Sequence, residues 1–280
     1  MNPHKLNLTA GGSSGGEGSL LGFRGSILGI GTDVAGSIRI PAYCNGVYGF
    51  RPSIGRISNA GQGSHVERDG MVGIEHTTGP LAQSVSGLKL LLKSVLDCTE
   101  WNDDPFSRGM RWRDVNHSNK KLRLGLIPEH ERYPLHPTVM RALHEAKTIL
   151  RENGHEVIPI ERTPSLEYVA RTAWKFFALD PQQTELQILK DSGEPIIDAL
   201  SYDRFPDLDD YKPTLDGLYD LNIEKQKITD RFNKIFEDYS LDAFLMPVYH
   251  SVAAPRDRYG IPVYTVFANM IDVCTNSCPL

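Results

Sequence analysis

The chain has 280 residues, of which 40% are hydrophobic and 23% are charged, and its formal net charge at pH 7 is -5. This composition is typical of a soluble globular protein, and it excludes a disordered chain. The acidic balance argues against binding to nucleic acids or to an anionic membrane, because both need basic surfaces. No apolar run approaches the ~20 residues of a membrane-spanning helix, and the first residues lack the apolar core of a secretory signal. The expected location is therefore cytoplasmic.

The cysteine pattern does not indicate a metal site. Of the four cysteines, Cys44, Cys98, Cys274 and Cys278, only the last two are close in sequence, and no second pair of ligands stands near them. Thiols in a reducing compartment are the simpler interpretation. We therefore expect no metal and no cofactor.

The segment 11–42 is rich in glycine and serine but is interleaved with large apolar residues. A flexible linker has no such apolar partners, so the glycines are expected to allow close packing of the backbone or positive φ angles. The apolar residues are Leu20, Leu21, Phe23, Ile27, Leu28, Ile30, Ile38 and Ile40.

Apolar residues at helical spacing over 81–97 predict one amphipathic helix, which begins after the turn-like pair Gly79 and Pro80. The polar residues of 100–120 are expected on the surface.

The next part of the chain has the pattern of a strand–helix–strand unit. Residues 121–127 predict a strand, Pro137 opens a helix that runs to about Asn153 and is closed by Gly154, and 155–160 predict a second strand. Such a unit favours an α/β fold.

Towards the end of the chain, residues 164–220 are helical in pattern but interrupted by prolines, and their acidic residues are expected to face solvent. Residues 222–239 predict a helix, and 241–248 predict a buried strand. The acidic residues include Asp203, Asp207, Asp209 and Asp210.

Three known motifs can be tested against the glycine-rich segment. A phosphate-binding P-loop needs Lys-Ser/Thr after its glycines, whereas here Glu17 follows. A dinucleotide loop would place that carboxylate against a pyrophosphate. The segment 12–16 does match the nucleophile elbow G-x-S-x-G, with Ser14 as nucleophile and Asp242 and His250 in the right order for an esterase triad. That motif is short and occurs often by chance.

A fourth interpretation uses both ends of the segment. GGSSGGE and GTDVAGSIRIPA place Ser13 and Ser37 24 positions apart, and this pair of motifs resembles the amidase signature family, in particular its fungal acetamidase-like branch. The resemblance covers essentially the whole chain, since it continues in YGFRPSIGRIS, GPLA, ALHEAKTILRENGHEV, LDAFLMPV and VYTVFANMIDV.

The resemblance implies a fold and an activity. The fold is α/β, with one mixed, mostly parallel twisted sheet flanked by helices on both faces and incomplete at both ends. It is a single domain over 1–280, with a signature core at 11–97 and a second part at 121–280 that contributes to the substrate pocket. The activity is hydrolysis of a small carboxamide to a carboxylate and ammonia or an amine, without a cofactor. Exposed sheet edges are prone to association, so a homodimer stays among the expectations.

The resemblance also assigns roles to the serines. Ser37 is the nucleophile that forms an acyl-enzyme. Ser13 is preceded by a cis peptide bond from Gly12 and passes protons between Ser37, a lysine and the leaving amine. Ser14 is expected to support Ser13 through a hydrogen bond.

The turn before the nucleophile is expected to form the oxyanion hole through the N–H groups of Val34, Ala35 and Gly36. Alanine stands at position 35 where glycine is usual in the family, which costs about 1 kcal/mol if φ is positive and almost nothing if φ is negative. Asp33 and Arg39 are expected to form an ion pair that supports the turn.

The lysine of the family triad lies many residues before the glycine run, and here Lys5 is the only lysine upstream. Its surroundings do not resemble the lysine motif. Two alternatives therefore stay open beside the amidase: a non-catalytic remnant of such an enzyme, and the esterase based on Ser14.

Overall fold

The computed structural model describes residues 1–63, 70, 73–98, 104, 106–115, 120–198, 205–256 and 258–279. Much of the surface segment expected over 100–120 lies outside these residues, as does Asp203 of the acidic run. The elements are, in chain order, α1 (Gly15–Gly22), β1 (Leu28–Asp33), α2 (Arg39–Asn45), β2 (Tyr48–Arg51), β3 (Thr77–Ala82), α3 (Val85–Asp97), β4 (Arg123–Leu126), α4 (Pro137–Glu152), β5 (Glu156–Pro159), α5 (Leu166–Phe177), α6 (Thr184–Ser192), a 3₁₀ turn (Pro206–Leu208), α7 (Leu215–Tyr239), β6 (Ala243–Leu245), α8 (Val263–Met270) and β7 (Thr275–Ser277).

The first sheet has the strand order β1-β3-β2-β7, and all its pairs are antiparallel. Strand β3 is inserted between β1 and β2, with Leu28 opposite Ala82 and Asp33 opposite Thr77. Because β3 runs against both neighbours, β1 and β2 run in the same direction, joined by α2. The α/β class is confirmed. A single, mostly parallel sheet is wrong for the described residues, because this first sheet is antiparallel throughout and the parallel pairs belong to a second sheet.

The second sheet is parallel, with the order β5-β4-β6. Its β4, α4 and β5 confirm the predicted strand–helix–strand unit. The side chain of His136 caps α4 by accepting the Thr138 N–H, Pro137 stands in the first turn, and Gly154 follows the helix at φ 83°.

Two boundaries differ from the sequence prediction. The helix expected from residue 81 begins at Val85, capped by Ser84, because Thr77–Ala82 form the buried strand β3. Gly79 belongs to that strand rather than to a turn. Glycine is required there because a Cβ would overlap the Phe50 carbonyl oxygen of β2. At the other end, the buried strand expected over 241–248 is shortened to Ala243–Leu245, whose residues are only half-buried.

Helix α1 was not predicted, because four of its eight residues are glycine. It forms where small residues let it approach α2 closely. A Cβ at Gly18 would lie 2.9 Å from Pro41 Cβ and 3.0 Å from Asn45 Nδ2. The expectation of close packing is confirmed for Gly18 and Gly22, whereas a Cβ at Gly16 would have no atom within 4 Å.

Two clusters of buried side chains frame the turn that follows β1. A small cluster of Leu21, Ile38, Ala42, Val47 and Leu81 lies between α1, α2 and the first sheet. A large cluster gathers α5, α7, α8 and the second sheet, and it contains Phe176, Phe232 and Phe267. The half-buried Val34 and Ala35 pack against the large cluster, so the turn lies where the two parts of the molecule meet.

The outer side of β1 is exposed in the described residues, and large apolar side chains lie near it. Phe23 is 76% exposed, Ile27 is 74% exposed and Ile30 is 57% exposed. The homodimer expected from such edges stays a prediction. None of the helices in the described part of the chain combines the length and apolar character that crossing a bilayer requires.

Candidate active site

The two serine turns of the glycine-rich segment meet in the structure. The Ser14 N–H donates to the Ser37 carbonyl oxygen at 3.1 Å. The peptide bond between Gly12 and Ser13 is cis, as expected. Gly11 has φ 73°, and a Cβ there would lie 2.9 Å from Ile40 Cγ2 and 3.0 Å from the Ile40 backbone. The first turn therefore packs directly against the first residues of α2.

Ser14 ties the first turn to β1 rather than to Ser13. Its Oγ lies 3.3 Å from both the N and the O of Thr32. The contact depends on a glycine opposite, since a Cβ at Gly31 would lie 2.5 Å from this Oγ. The expected hydrogen bond from Ser14 to Ser13 is therefore wrong, because the Ser14 hydroxyl is held by the strand backbone.

Ser13 and Ser37 keep their hydroxyl groups available. Ser13 is exposed and Ser37 is half-buried. Within the described residues neither hydroxyl has a hydrogen-bond partner, and no lysine amine is bonded to either one. The pair can therefore engage a substrate and a proton acceptor without first breaking an internal bond.

The Asp33 carboxylate holds the second serine turn through hydrogen bonds to its backbone. Its carboxylate is fully buried and accepts hydrogen bonds from the Gly36 N–H at 2.8 Å and the Ile38 N–H at 3.1 Å. Arg39 adds two more, from Nε at 3.0 Å and from Nη2 at 2.9 Å, which confirms the expected ion pair. Burial would raise the pKa of the Asp33 carboxyl, but the charge of Arg39 and the hydrogen bonds of Arg39, Asn269 and Ile38 outweigh it and hold the pKa at about 2. The carboxylate thus stays ionised inside the protein.

The backbone of the turn explains which small residues it needs. Gly36 has φ 130°, and a Cβ there would overlap Thr265 Oγ1, so glycine is required at this position. Ala35 does not have a positive φ, so alanine fits there without backbone strain. Of the three expected oxyanion donors, the Gly36 N–H is already paired with Asp33, while those of Val34 and Ala35 have no acceptor within the described residues.

Two residues of the site were missed by sequence reasoning. From α8, Thr265 Oγ1 donates to the Ala35 carbonyl oxygen at 2.7 Å, and Asn269 Nδ2 donates to the Asp33 carbonyl oxygen at 3.2 Å. The signal that could have found them is a pair of polar residues four positions apart in the otherwise apolar sequence VYTVFANM.

The alternative esterase triad is not brought together. The Asp242 carboxylate bonds to the Lys120 amine and to the Arg123 N–H beside the second sheet. The His250 ring packs on Tyr249 with the ring centroids 4.1 Å apart, and burial lowers its pKa. Among the described residues neither group is hydrogen-bonded to Ser14, whose Oγ contacts Thr32 of β1. Among the described residues, no cluster of three histidine, cysteine or carboxylate side chains is suited to a metal ion.

Comparison with known proteins gives the family and the fold. Residues 1–280 match the family model described as Amidase. An "Amidase" of Gibberella moniliformis is 32% identical over 281 residues, covering 100% of this chain and 52% of the relative. An "Acetamidase" of Aspergillus oryzae is 30% identical, covering 100% of this chain and 53% of the relative. The solved structure of a "Fatty acid amide hydrolase" superposes with a TM-score of 0.90 at 29% identity, covering 99% of this chain and 48% of that chain.

The chain spans about half the length of the curated relatives it matches. The family model nevertheless matches the chain over residues 1–280, and the fold is that of a solved amide hydrolase. The chain belongs to the amidase family, as its resemblance to the amidase signature enzymes predicts.

Proposed function

We propose that this chain carries the nucleophile and the oxyanion turn of an amidase that hydrolyses a small carboxamide to a carboxylate and ammonia or an amine. The observation that carries the proposal is the meeting of the two serine turns through the bond from the Ser14 N–H to the Ser37 carbonyl oxygen. That bond brings two serines with unpaired hydroxyls beside a turn that has unpaired N–H groups. Such a combination is suited to acyl transfer.

In the proposed reaction, Ser37 Oγ attacks the amide carbonyl carbon and its proton passes to the Ser13 hydroxyl. The tetrahedral oxyanion is stabilised by the free N–H groups of Val34 and Ala35, since the Gly36 N–H donates to the Asp33 carboxylate. When the C–N bond breaks, Ser13 returns a proton to the leaving nitrogen and an ester remains on Ser37. A water molecule then attacks this ester and gives a proton to the same relay. The bond between the acyl carbon and Ser37 Oγ breaks, the relay returns a proton to Ser37, and the acid leaves and ionises to the carboxylate.

The relay through Ser13 needs a base that finally accepts the proton. The family resemblance implies a lysine amine with a lowered pKa. We propose that this lysine lies outside the present sequence, because within the described residues no lysine is bonded to Ser13 or Ser37. The chain alone is then a weak catalyst. A non-catalytic remnant of an amidase is the second candidate, and the same observation favours it.

A fluorophosphonate probe tests the proposal without requiring turnover, because it reacts with an activated serine. Peptide mapping is expected to find the label on Ser37, and Ser37→Ala should abolish it. Ser19→Ala is the matched control and should label normally, since within the described residues the Ser19 hydroxyl is hydrogen-bonded to the Met1 carbonyl oxygen and not to either serine turn. A primary amine in the buffer should accelerate labelling of the parent chain if a proton acceptor is what it lacks.

Other outcomes separate the candidates. A label on Ser14 that disappears in His250→Ala would contradict the amidase assignment and support the esterase. A folded chain that no probe labels, with or without added amine, would favour the remnant.

A further inference from the structure

Helix α8 is buried throughout and carries two polar side chains that point to the same side. Thr265 is 2% exposed and Asn269 is 1% exposed, and their spacing of four residues places both on one helix face. That face lies against the turn 33–36. Polar groups buried this deeply are stable only when they are hydrogen-bonded, and here every bond beyond the helix itself leads to the turn or to the arginine beneath it.

The contacts fix two carbonyl groups of the turn. Thr265 Oγ1 donates to the Ala35 carbonyl oxygen at 2.7 Å. Asn269 Nδ2 donates to the Asp33 carbonyl oxygen at 3.2 Å and to Asp33 Oδ1 at 3.0 Å. Arg39 is hydrogen-bonded to both residues. Its Nη1 donates to the Thr265 carbonyl oxygen at 2.8 Å, and its Nη2 donates to Asn269 Oδ1 at 2.6 Å. The turn is therefore held to α8 at alternate peptide groups.

Holding a carbonyl also sets the direction of the N–H in the same peptide group. A trans peptide is planar, and its N–H points opposite to its C=O. The bond from Asn269 to the Asp33 carbonyl draws that oxygen towards α8, so the Val34 N–H of the same group points away from α8. The bond from Thr265 acts in the same way on the group that joins Ala35 and Gly36, and it directs the Gly36 N–H onto the Asp33 carboxylate.

We propose that Thr265 and Asn269 are positioning residues that hold the turn 33–36 in the orientation in which the free Val34 N–H faces away from α8 and is available to the substrate carbonyl at Ser37. The inference rests on the proposed function for its catalytic consequence. The anchoring of the turn itself does not depend on that function. Oxyanion donors contribute through preorganisation, so a turn released from α8 should bind substrate as before and react more slowly.

The test uses Thr265→Val, which keeps the shape of the side chain and removes the hydroxyl, and Thr265→Ser, which restores the hydroxyl. Thr172→Val is the matched control. Thr172 is also buried, and its hydroxyl donates to the Tyr168 carbonyl oxygen within α5 rather than to the turn 33–36. The three variants separate loss of the anchor from loss of any buried threonine hydroxyl.

Two measurements are made on each variant of the full chain. The first is the phosphonylation of Ser37 by the fluorophosphonate probe, resolved into a maximal rate and a half-saturating probe concentration. Thr265→Val should lower the maximal rate by about tenfold at unchanged half-saturation, Thr265→Ser should recover most of it, and Thr172→Val should resemble the parent. The second is amide hydrogen exchange, which should accelerate in the peptide spanning 33–38 of Thr265→Val and stay unchanged in the peptide spanning β4.

An unchanged exchange rate over 33–38 in Thr265→Val would overturn the proposal. So would an equal effect of Thr172→Val, or a loss that Thr265→Ser does not recover, because each would indicate a general effect on stability. If the parent chain is not labelled at Ser37, the proposed function fails while the exchange measurement still decides whether α8 anchors the turn.

Discussion

The two sheets of this molecule are built from different kinds of contact. In the first sheet, with α1 and α2, backbone segments approach so closely that glycines are required, and a fully buried ion pair of Asp33 and Arg39 lies beneath the serine turns. In the second sheet, with α4, strands and an amphipathic helix pack through ordinary apolar side chains, and the ion pair of Arg123 and Glu156 is exposed. The region that positions the serines therefore depends on a few close contacts between particular residues. The region of the second sheet depends on the periodic placement of apolar side chains.

The largest expected effect compares the two ion pairs. Asp33→Asn leaves the Arg39 charge buried without its carboxylate partner, and we expect it to lower the free energy of unfolding by about 3–5 kcal/mol. Glu156→Gln is the matched change in the second sheet, where the side chains of Arg123 and Glu156 are 43% and 55% exposed, and it should cost less than about 1 kcal/mol. Urea unfolding measures both. Similar losses for the two variants would contradict the contrast between the regions.

A smaller effect on the free energy of unfolding is expected when the pH is lowered. The pKa of the Asp33 carboxyl is held at about 2, below its ordinary value of 3.8, so the ionised form is favoured by folding. The resulting stabilisation is present above pH ~4 and is lost as the pH falls towards 2, and it amounts to about 2 kcal/mol. The difference in unfolding free energy between the parent and Asp33→Asn should therefore shrink over this range.

The other carboxyl groups titrate in both proteins and cancel in that difference. Unfolding at several pH values between 5 and about 2 gives the result. A difference that stays constant with pH would mean that Asp33 is not held ionised by Arg39.

The second sheet was the part of the fold that the sequence predicted best. The bounds of β4, α4 and β5 lie within two residues of the predicted ones, because apolar periodicity and the Pro137 and Gly154 signals act over a few neighbouring residues. The first sheet was not predicted in the same way. Gly79 looked like a turn residue, although it belongs to a strand in which a Cβ at this position would overlap the Phe50 carbonyl oxygen.

Some contacts of the candidate site were likewise predicted from the sequence, and others were not. The paired serine motifs, through their resemblance to a family, predicted that the turns of Ser13 and Ser37 belong together and that Asp33 pairs with Arg39. The contributions of α8 could not be predicted, because Arg39 and Thr265 are 226 positions apart and no local pattern couples them. Contacts of this kind become visible only when the packing of α8 against the turn is known.

The smallest effects concern glycines, and α1 provides a matched pair. Gly16→Ala introduces a Cβ with no atom within 4 Å, so the gain in helix propensity should stabilise the protein by up to about 1 kcal/mol. Gly18→Ala makes the same gain but places its Cβ 2.9 Å from Pro41 Cβ and 3.0 Å from Asn45 Nδ2. Neither neighbour can move freely, since this amide also donates to the Pro41 and Ala10 carbonyl oxygens at 2.7 Å each. We expect a net loss of about 1–2 kcal/mol, from an overpacking cost of ~1–3 kcal/mol.

Gly125 in β4 extends this comparison to the second sheet. A Cβ there would lie 2.6 Å from Leu241 Cδ1 and 3.0 Å from Phe244 Cδ1, which is as close as the contacts of Gly18. These atoms are the far ends of side chains that can change rotamer, and alanine has a higher strand propensity than glycine, so Gly125→Ala should cost less than Gly18→Ala. Thermal unfolding of the three variants decides the order. If Gly125→Ala is the more damaging, the rigidity that we assign to the serine region is shared by the whole molecule, and the contrast between its two sheets does not hold.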